Sequence, residues 1–339
     1  MRIGIDLMGG DNPPELLFPA ILQTVKEFAS HHTLLILATK SVIAPLSSLL
    51  STLFSTPPPS ISFQECEDVI MMTDDPLSAL RRKKNSSLVV GIHLLKIKSI
   101  DALVSCGNTG ALIASAALTL SLLPGISHPA LLVALPKKNG TVAVLDAGGN
   151  LLNTAEDLVH FAFLGAAYQR AVQGIETPTV GLLNVGVESR KGTIEVRQAY
   201  EKLKMYCEED AVPSLHFAGN IEGRDLFKGT VDVLVTDGFS GNVLLKTAEG
   251  VAAFIFESLQ DRIQIGSMPD FEKSFADLKK QFNYAEYPGA IVCGIDGVVV
   301  KVHGNANAES LLIGIREAID CVEKEVIVRI KDDYIRNSK

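Results

Sequence analysis

The sequence has few cysteines and no pair of them at metal-binding spacing. Its five cysteines are scattered through 339 residues, odd in number and without a CxxC pair. This spacing argues against a zinc site and against a disulfide framework, and it suits a reducing compartment. The seven histidines likewise include no HxxxH pair on a plausible helix. We therefore expect no bound metal.

Long apolar runs are also absent. No stretch reaches the roughly 18 uninterrupted apolar residues of a membrane-spanning helix, and the longest candidate, 111–123, is too short. The first residues, MRIGIDLMGGD, lack the apolar core and the small-residue cleavage site of a signal peptide. We expect a cytoplasmic protein.

Positive charge is in the minority, with 31 basic residues against 39 acidic ones. Because non-specific nucleic-acid binding relies on clustered Lys and Arg, this balance argues against that class of protein. Three enzyme fingerprints are missing too: GxGxxG after the first strand, GxxxxGK[ST], and GxSxG. The sequence thus lacks the standard signatures of a dinucleotide-binding enzyme, a P-loop nucleotidase and a serine hydrolase.

The apolar residues of the chain fall in short segments that are predicted to form strands and helices in alternation. Apolar residues make up 47% of the chain, enough for a large core. Strand candidates precede helical ones almost throughout, as at 2–6 before 14–29 and at 102–105 before 109–122. Such alternation indicates an α/β fold, with a largely parallel sheet covered by helices on both faces. No linker or internal repeat divides the chain, so we expect a single domain over 1–339.

Polar, glycine-rich stretches fall repeatedly just after predicted strands. In chain order they read DLMGGD, SCGNTGA, DAGGN, LLNVG, AGNIEGRD and DGFSGN. In open α/β sheets, ligands bind outside the carboxyl ends of the strands, often against helix amino termini. Glycine and asparagine are ordinary turn residues, but six such stretches together predict a broad cleft at that edge.

The stretch SCGNTGAL at 105–112 is the most informative of these. Gly107 and Gly110 allow a backbone to pass close to a ligand, and the first N–H groups of the following helix favour an anion. The amide of Asn108 can donate a hydrogen bond without adding charge, and Thr109 is expected to cap the helix. Cys106 is the alternative, as a nucleophile, but no base lies near it in sequence. The stretch therefore predicts a cradle for an anion.

Cations that could hold an anionic substrate lie in three other stretches. The densest basic run is RRKKNSS at 81–87, which forms either a solvated face or a site for phosphate or for an acidic carrier protein. VESRKG at 187–192 places Glu188, Arg190 and Lys191 after a predicted strand. EGRD at 222–225 supplies Arg224 beside two carboxylates. We expect these residues to clamp a substrate.

These motifs resemble the bacterial phosphate acyltransferases of phospholipid synthesis (acyl-ACP:phosphate transacylases, the PlsX family). The resemblance runs almost end to end and rests on eight stretches in family order: DLMGGD, RRKKNSS, SCGNTGAL, DAGGN, GLLNVGVESRKG, FAGNIEGRD, DGFSGNVLLKTAEG and GVVVKVHGNANAES. It implies a three-layer α/β/α sandwich similar to phosphotransacetylase and isocitrate-dehydrogenase-like folds.

The resemblance also implies an activity and partners. A long-chain acyl group moves from acyl carrier protein to inorganic phosphate, and the acyl phosphate feeds glycerol-3-phosphate acylation by a downstream acyltransferase. No cofactor is implied. A homodimer is implied, as is loose association with the inner face of the cytoplasmic membrane. Because inorganic phosphate already carries a nucleophilic oxygen, the enzyme need only position it and stabilise the oxyanion on the thioester carbonyl.

Residue chemistry and motif position together give the expected roles. The catalytic candidates are Asn108, Lys191, Asp237 and His303, the last as an acid for the leaving thiol. The candidates for binding phosphate or the pantetheine arm are Asp6, Gly9, Gly10, Asp11, Gly107, Thr109, Gly110, Asn150, Asn184, Glu188, Asn220, Arg224, Gly238 and Asn242. The candidates for binding the acidic carrier protein are Arg81, Arg82, Lys83 and Lys84.

The chain departs from the family pattern in three places. Gly149 stands where Ala is expected, His128 stands where Arg is expected, and Pro288 removes a backbone donor from the run YPGAIVCG. A helical region around 243–285 is the candidate for dimer or membrane contact. Within it, DFEKSFADLKKQF at 270–282 places Phe at helical spacing with Lys elsewhere, which suits a membrane interface or packing on protein equally.

Three alternative functions compete with acyl transfer from carrier protein to phosphate. The nearest is a phosphotransacetylase that uses coenzyme A, and the next is a non-catalytic membrane-bound scaffold. A scaffold predicts degenerate site motifs, whereas the Asn, Gly and Asp positions are intact here. A decarboxylating dehydrogenase is disfavoured because neither a metal-carboxylate set nor a nucleotide fingerprint is found.

Overall fold

The computed structural model describes residues 1–28, 32–56, 58–209, 214–262, 275 and 289–337. The chain divides into two compact units. Unit 1 comprises Met1–Pro129 and Gly289–Ile335, and unit 2 comprises Ala130–Pro288 with Arg336–Lys339. The stretch 270–282 lies outside the described residues apart from Phe275, and Pro288 lies outside them too.

Unit 1 contains six strands, most of them parallel to their neighbours. Its strands are β1 (Arg2–Asp6), β2 (Thr33–Thr39), β3 (Ile61–Cys66), β4 (Ala102–Ser105), β10 (Ala290–Cys293) and β11 (Val298–Lys301). They lie in the order β3-β2-β1-β4-β11-β10. Every pair is parallel except β10 with β11. Since β1, β4 and β11 are adjacent and parallel, the loops that follow them emerge at one edge.

Helices cover both faces of this sheet. They are α1 (Pro14–Glu27), α2 (Lys40–Leu53), α3 (Pro76–Arg82), α4 (Ser87–Lys96), α5 (Thr109–Thr119), α9 (Ala308–Glu323) and α10 (Val326–Asn337). Gly91 of α4 packs against the side chain of Leu103, and Gly314 of α9 packs against that of Val104. Because consecutive strand residues point to opposite faces, α4 and α9 lie on opposite sides of β4. The expected layers are therefore present in unit 1.

Unit 2 contains five strands. They are β5 (Ala130–Pro136), β6 (Thr141–Leu145), β7 (Thr179–Leu183), β8 (His216–Ile221) and β9 (Val233–Val235), in the order β5-β6-β9-β7-β8. Only β5 with β6 is antiparallel. The helices of this unit include α6 (Ala155–Gln173), α7 (Ile194–Glu209) and α8 (Gly238–Arg262), and a 3-10 turn lies at Gly223–Lys228.

The predicted α/β fold with a largely parallel sheet is confirmed. Strands β1 and β4 have the predicted bounds. The antiparallel pairs at β5–β6 and β10–β11 were not predicted, since a short apolar run does not reveal its partner or direction. Within the described residues, no helix is long and apolar enough to cross a membrane.

Candidate functional site

In unit 1, the loops that follow neighbouring strands pack against one another. The N–H of Asp11, after β1, donates to the carbonyl of Gly304, after β11, at 2.7 Å. Gly9 has φ +75° and approaches the loop after β3 so closely that a Cβ there would lie 2.4 Å from the Ile70 carbonyl oxygen. A side chain at Gly10 would similarly meet the Gly304 carbonyl at 3.0 Å. The glycines of DLMGGD thus let three loops meet at the predicted edge.

Asp6, at the end of β1, is a buried carboxylate that anchors this edge. Its Oδ1 accepts from the Met8 N–H at 3.0 Å, and its Oδ2 accepts from the Ser105 hydroxyl at 2.7 Å. Burial raises the pKa of Asp6, while hydrogen bonds from Ser87, Ser105 and Met8 and the charge of Lys301 oppose that rise. Asp6 therefore holds the loop after β1 to the end of β4.

Asn108 is the helix cap of the SCGNTGAL stretch. Its Oδ1 accepts from the Ala111 N–H at 3.0 Å, and its amide group donates to the carbonyls of Met71, Met72 and Asp74 at 3.2–3.3 Å. The prediction that Thr109 caps α5 is wrong, because Thr109 is the first helical residue and the preceding Asn108 takes the cap position. The side chain of Asn108 thus joins the helix start to the loop after β3.

Cys106 is unsuited to act as a nucleophile. Its side chain is fully buried, and burial raises the pKa of its thiol to about 12. A thiol with such a pKa stays protonated near neutral pH, whereas the thiolate is the reactive form. The sequence likewise places no base near Cys106 that could activate it.

The basic run 81–84 divides into exposed and engaged residues. Arg81 and Arg82 end α3, and both side chains are exposed, as is that of Lys84. Lys83 instead donates to the Asp74 carboxylate at 2.5 Å and to the Val69 carbonyl at 2.8 Å. Lys83 therefore fixes the same loop that Asn108 contacts, and the other three cations face solvent.

His303 follows β11 and is half-exposed. Its carbonyl accepts a hydrogen bond from the Ala306 N–H at 3.1 Å, so it begins the turn that leads to α9. His128, the departure from the family pattern, is exposed just before the end of the first segment of unit 1.

In unit 2, Asp146 organises the DAGGN loop after β6. Its carboxylate accepts five hydrogen bonds at 2.7–3.1 Å: from the N–H groups of Leu131, Gly148, Gly149 and Asn150 and from the Asn150 amide. Burial raises the pKa of Asp146, and these hydrogen bonds oppose the rise. The side chain of Asn150 is thus directed back into the loop.

The start of α8 packs directly on this loop. Gly238 approaches so closely that a Cβ would lie 2.2 Å from the Asn150 carbonyl oxygen, and its N–H donates to the Asn153 side chain at 3.2 Å. Asp237 caps the helix, accepting from the Ser240 N–H and hydroxyl, each at 2.8 Å. Asn242 is exposed beside Gly148. The DAGGN and DGFSGN motifs therefore pack directly against each other.

The loop after β7 forms a second cluster in unit 2. The side chain of Asn184 donates to the Lys191 carbonyl at 3.1 Å and accepts from the Val185 N–H at 2.8 Å. Asn220, on β8, is buried and donates to the Glu188 carbonyl at 2.8 Å. The side chains of Glu188 and Lys191 are exposed. Two asparagines thus shape the loop that presents Lys191 to solvent.

Arg224 lies in the 3-10 turn that follows β8. Its guanidinium donates to the Glu222 carboxylate at 2.5 Å, and 75% of its side chain is exposed. Arg224 remains accessible to an anionic ligand in this position.

Three further residues at this edge were not predicted from the sequence: Ser87, Ser105 and Lys301. The two serines hydrogen-bond to Asp6. Lys301 is a buried residue whose ammonium donates to the carbonyls of Cys106 and Val302. The available signal was one charged residue within the apolar run VVVKV.

The sequence is similar to known proteins along almost its whole length. A model of the family described as "Fatty acid synthesis protein" matches residues 1–329. The phosphate acyltransferase of Chlamydia abortus is 39% identical over 330 residues, which cover 97% of this chain and 98% of that protein. The phosphate acyltransferase of Thermoanaerobacter pseudethanolicus is 38% identical over 339 residues, or 98% of this chain and 97% of that protein.

Solved structures share the fold. A phosphotransacetylase from Streptococcus pyogenes superimposes with a TM-score of 0.62 at 17% sequence identity. The match covers 95% of this chain and 94% of that one.

Proposed function

The chain belongs to the fatty acid synthesis protein family, which includes the phosphate acyltransferases its motifs resemble, and we propose that it transfers long-chain fatty acyl groups from acyl carrier protein to phosphate. Acyl transfer to phosphate follows from the family. The long chain, the carrier-protein donor and the supply of acyl phosphate to phosphatidic acid synthesis are our proposal. The observation that carries it is the identity of 39% over 97% of the chain.

The proposed reaction needs no nucleophile from the protein. An oxygen of hydrogen phosphate attacks the thioester carbonyl, a C–O bond forms, and the C–S bond breaks. The proton of hydrogen phosphate ends on the departing carrier thiol, with His303 as the proposed relay. The protein supplies position and charge stabilisation for the developing oxyanion.

Each unit supplies candidate groups for this task. In unit 1 the proposed phosphate cradle is formed by Gly107, Thr109 and Gly110 at the start of α5, and Asn108 holds that start in place. In unit 2, Lys191 and Arg224 are exposed cations, suited to bind phosphate. The remaining proposed contacts to phosphate or pantetheine are Gly9, Gly10, Asp11, Asn150, Asn184, Glu188, Asn220, Gly238 and Asn242. Asp6 and Asp237 act as loop anchors.

The proposed carrier-protein surface is the exposed part of the basic run. Acyl carrier protein is acidic, and Arg81, Arg82 and Lys84 present positive charge to solvent on a chain whose net charge is −8. Complementary charge speeds association and selects the partner. Lys83 supports this surface from beneath through Asp74 and Val69.

We further propose one functional domain over 1–339, a homodimer, and a cytoplasmic location with loose attachment to the inner membrane face. The family match over 1–329 supports the first of these. For the attachment, the proposed segment is 270–282. Its one described residue, Phe275, has its ring 5.7 Å from that of Phe256 in an edge-to-face contact. Liposome binding that is unchanged by Phe275→Glu would remove the membrane role.

The deciding experiment is incubation of the full chain with palmitoyl-ACP and labelled phosphate, with acyl phosphate as the expected product. Acetyl-CoA as donor is the comparison. A preference for acetyl-CoA would replace the proposal with a phosphotransacetylase activity, which the fold of the Streptococcus pyogenes structure makes the second candidate. Full activity with unchanged phosphate dependence in Asn108→Ala or Lys191→Ala would overturn the site assignment.

A further inference from the structure

One peptide bond of the loop after β4 is fixed at both of its polar groups. The carbonyl of Cys106 accepts a hydrogen bond from the ammonium group of Lys301 at 3.4 Å. The N–H of the next residue, Gly107, donates to the hydroxyl of Ser105 at 3.1 Å. That hydroxyl donates in turn to the carboxylate of Asp6 at 2.7 Å. The orientation of the 106–107 peptide is therefore set by side chains from three strands.

The groups that fix this peptide are all buried. Asp6 is 1% exposed, Ser105 is 0% exposed and Lys301 is 6% exposed. Burying a lysine and a carboxylate costs free energy that an apolar pair of the same volume would avoid. A pair of charges below a glycine-rich loop therefore suggests a task beyond packing.

The peptide that they fix leads directly into α5. Of the helix's first N–H groups, that of Ala111 donates to Asn108, whereas those of Thr109 and Gly110 have no acceptor among the residues that the structure describes. Two N–H groups at a helix start suit an anion. Their direction depends on the peptides that precede them.

We propose that Lys301 is a positioning residue for acyl transfer to phosphate. With Ser105 and Asp6 it fixes the 106–107 peptide, so that the N–H groups of Thr109 and Gly110 point at the phosphate that attacks the acyl donor. The role is indirect, since the ammonium of Lys301 bonds to the carbonyls of Cys106 and Val302 within the protein. The inference rests on the proposed phosphate site at the start of α5.

The test is steady-state kinetics on the full-length protein with Lys301→Met and Ser105→Ala. We expect each variant to raise the KM for phosphate by on the order of 10- to 100-fold, because small displacements of a binding group have effects of that size. The KM for the acyl donor should stay within about twofold of the wild type, since the donor does not depend on this peptide. If Lys301→Met does not fold, Ser105→Ala alone tests whether the fixed 106–107 peptide positions the phosphate.

Unit 2 offers a matched control in Lys137. This lysine is also buried, and it also donates to a backbone carbonyl, that of Val231 at 2.9 Å, and to a carboxylate, that of Asp232 at 2.6 Å. It lies at the opposite edge of its sheet, where β6 begins. Lys137→Met should lower the melting temperature and leave the KM for phosphate unchanged.

The kinetic measurements distinguish a failure of the proposed function from a failure of the positioning role. A wild-type protein that makes no acyl phosphate from acyl-ACP would overturn the proposed function. A wild-type protein that does make it, with an unchanged KM for phosphate in folded Lys301→Met and in Ser105→Ala, would overturn the positioning role alone. Equal KM changes for phosphate and donor, or the same change in Lys137→Met, would also overturn it.

Discussion

The side-chain oxygen of Asn108 accepts a hydrogen bond from the Ala111 N–H at 3.0 Å. The same side chain donates to three carbonyls of the loop after β3, so one residue couples a helix start to a neighbouring loop. The helix that is coupled in this way begins the proposed phosphate cradle.

Asn108→Ala should therefore lower the free energy of unfolding by about 2–3 kcal/mol. About 1 kcal/mol comes from the lost cap, and the rest comes from carbonyls left without a donor. Asn108→Ser keeps a capping oxygen and should recover about 1 kcal/mol of this loss. Urea denaturation measures the two values. An Asn108→Ala protein as stable as the wild type would contradict the capping role.

Glycines 238, 241 and 250 of α8 differ sharply in their surroundings. A Cβ at Gly241 would lie 1.9 Å from the Asp146 carbonyl oxygen, and one at Gly238 would lie 2.2 Å from that of Asn150. Both contacts are with backbone, which cannot rotate away. Gly238→Ala and Gly241→Ala should therefore displace the DAGGN loop, lowering both the melting temperature and acyl phosphate formation.

Gly250→Ala is the control on the same helix. Among the residues that the structure describes, none comes within 4 Å of a Cβ built there, apart from the chain neighbours and the backbone of the helix itself. The higher helix propensity of alanine should therefore raise the free energy of unfolding by up to about 1 kcal/mol. Activity should stay at the wild-type level. Thermal melting and the acyl phosphate assay distinguish the three variants, and a tolerated Gly241→Ala would refute the close packing.

Glu317, in α9, gives the protein a pH-dependent stability. Burial, with a smaller effect of Asp320, raises the pKa of Glu317 from 4.5 to about 7. Since the folded-state pKa is the higher one, its contribution to stability is complete below pH 4.5. It declines as the pH rises through about 7, because the unfolded chain ionises first. The total loss is up to about 3 kcal/mol.

Glu317→Gln should remove this decline between pH 4.5 and pH 7. Urea denaturation at pH 5 and pH 8 measures it, and the variant should exceed the wild type in stability at pH 8. Glu309→Gln, at an exposed position of the same helix, should leave the wild-type pH dependence intact. Parallel curves for wild type and Glu317→Gln would rule out this origin.

Charge reversal tests the carrier-protein surface. The double variant Arg81→Glu/Lys84→Glu should raise the KM for acyl-ACP by on the order of 10-fold at low salt and less at high salt, because exposed charges act on association and are screened. The KM for phosphate should not change. Reversal of the exposed Lys204 on α7 is the control, and an equal effect there would indicate a general charge effect.

Lys83→Met should behave differently from its neighbours. Because this lysine bonds to Asp74 and Val69, its loss should lower the melting temperature and change the KM for acyl-ACP by less than about twofold. A carrier-specific effect as large as that of Arg81→Glu/Lys84→Glu would place Lys83 on the docking surface instead.

We could predict the α/β class, most strands and helices, and the positions of the glycine-rich loops from the sequence alone. These features are local, since apolar spacing selects strand or helix and glycine marks a turn. Asp6 could be chosen as a candidate residue for the same reason, because it ends an apolar strand. The resemblance to phosphate acyltransferases also lay in short, contiguous motifs.

The folded structure, in contrast, shows which partners the polar side chains bind. It directs the amide of Asn108 to the loop after β3, and it brings the ammonium of Lys301 to Cys106, 195 residues away in the chain. It also separates Lys83 from the exposed cations beside it. A buried polar group must find its partner wherever folding places one. Spacing along the sequence shows which groups need partners, and the packed fold shows which partners they find.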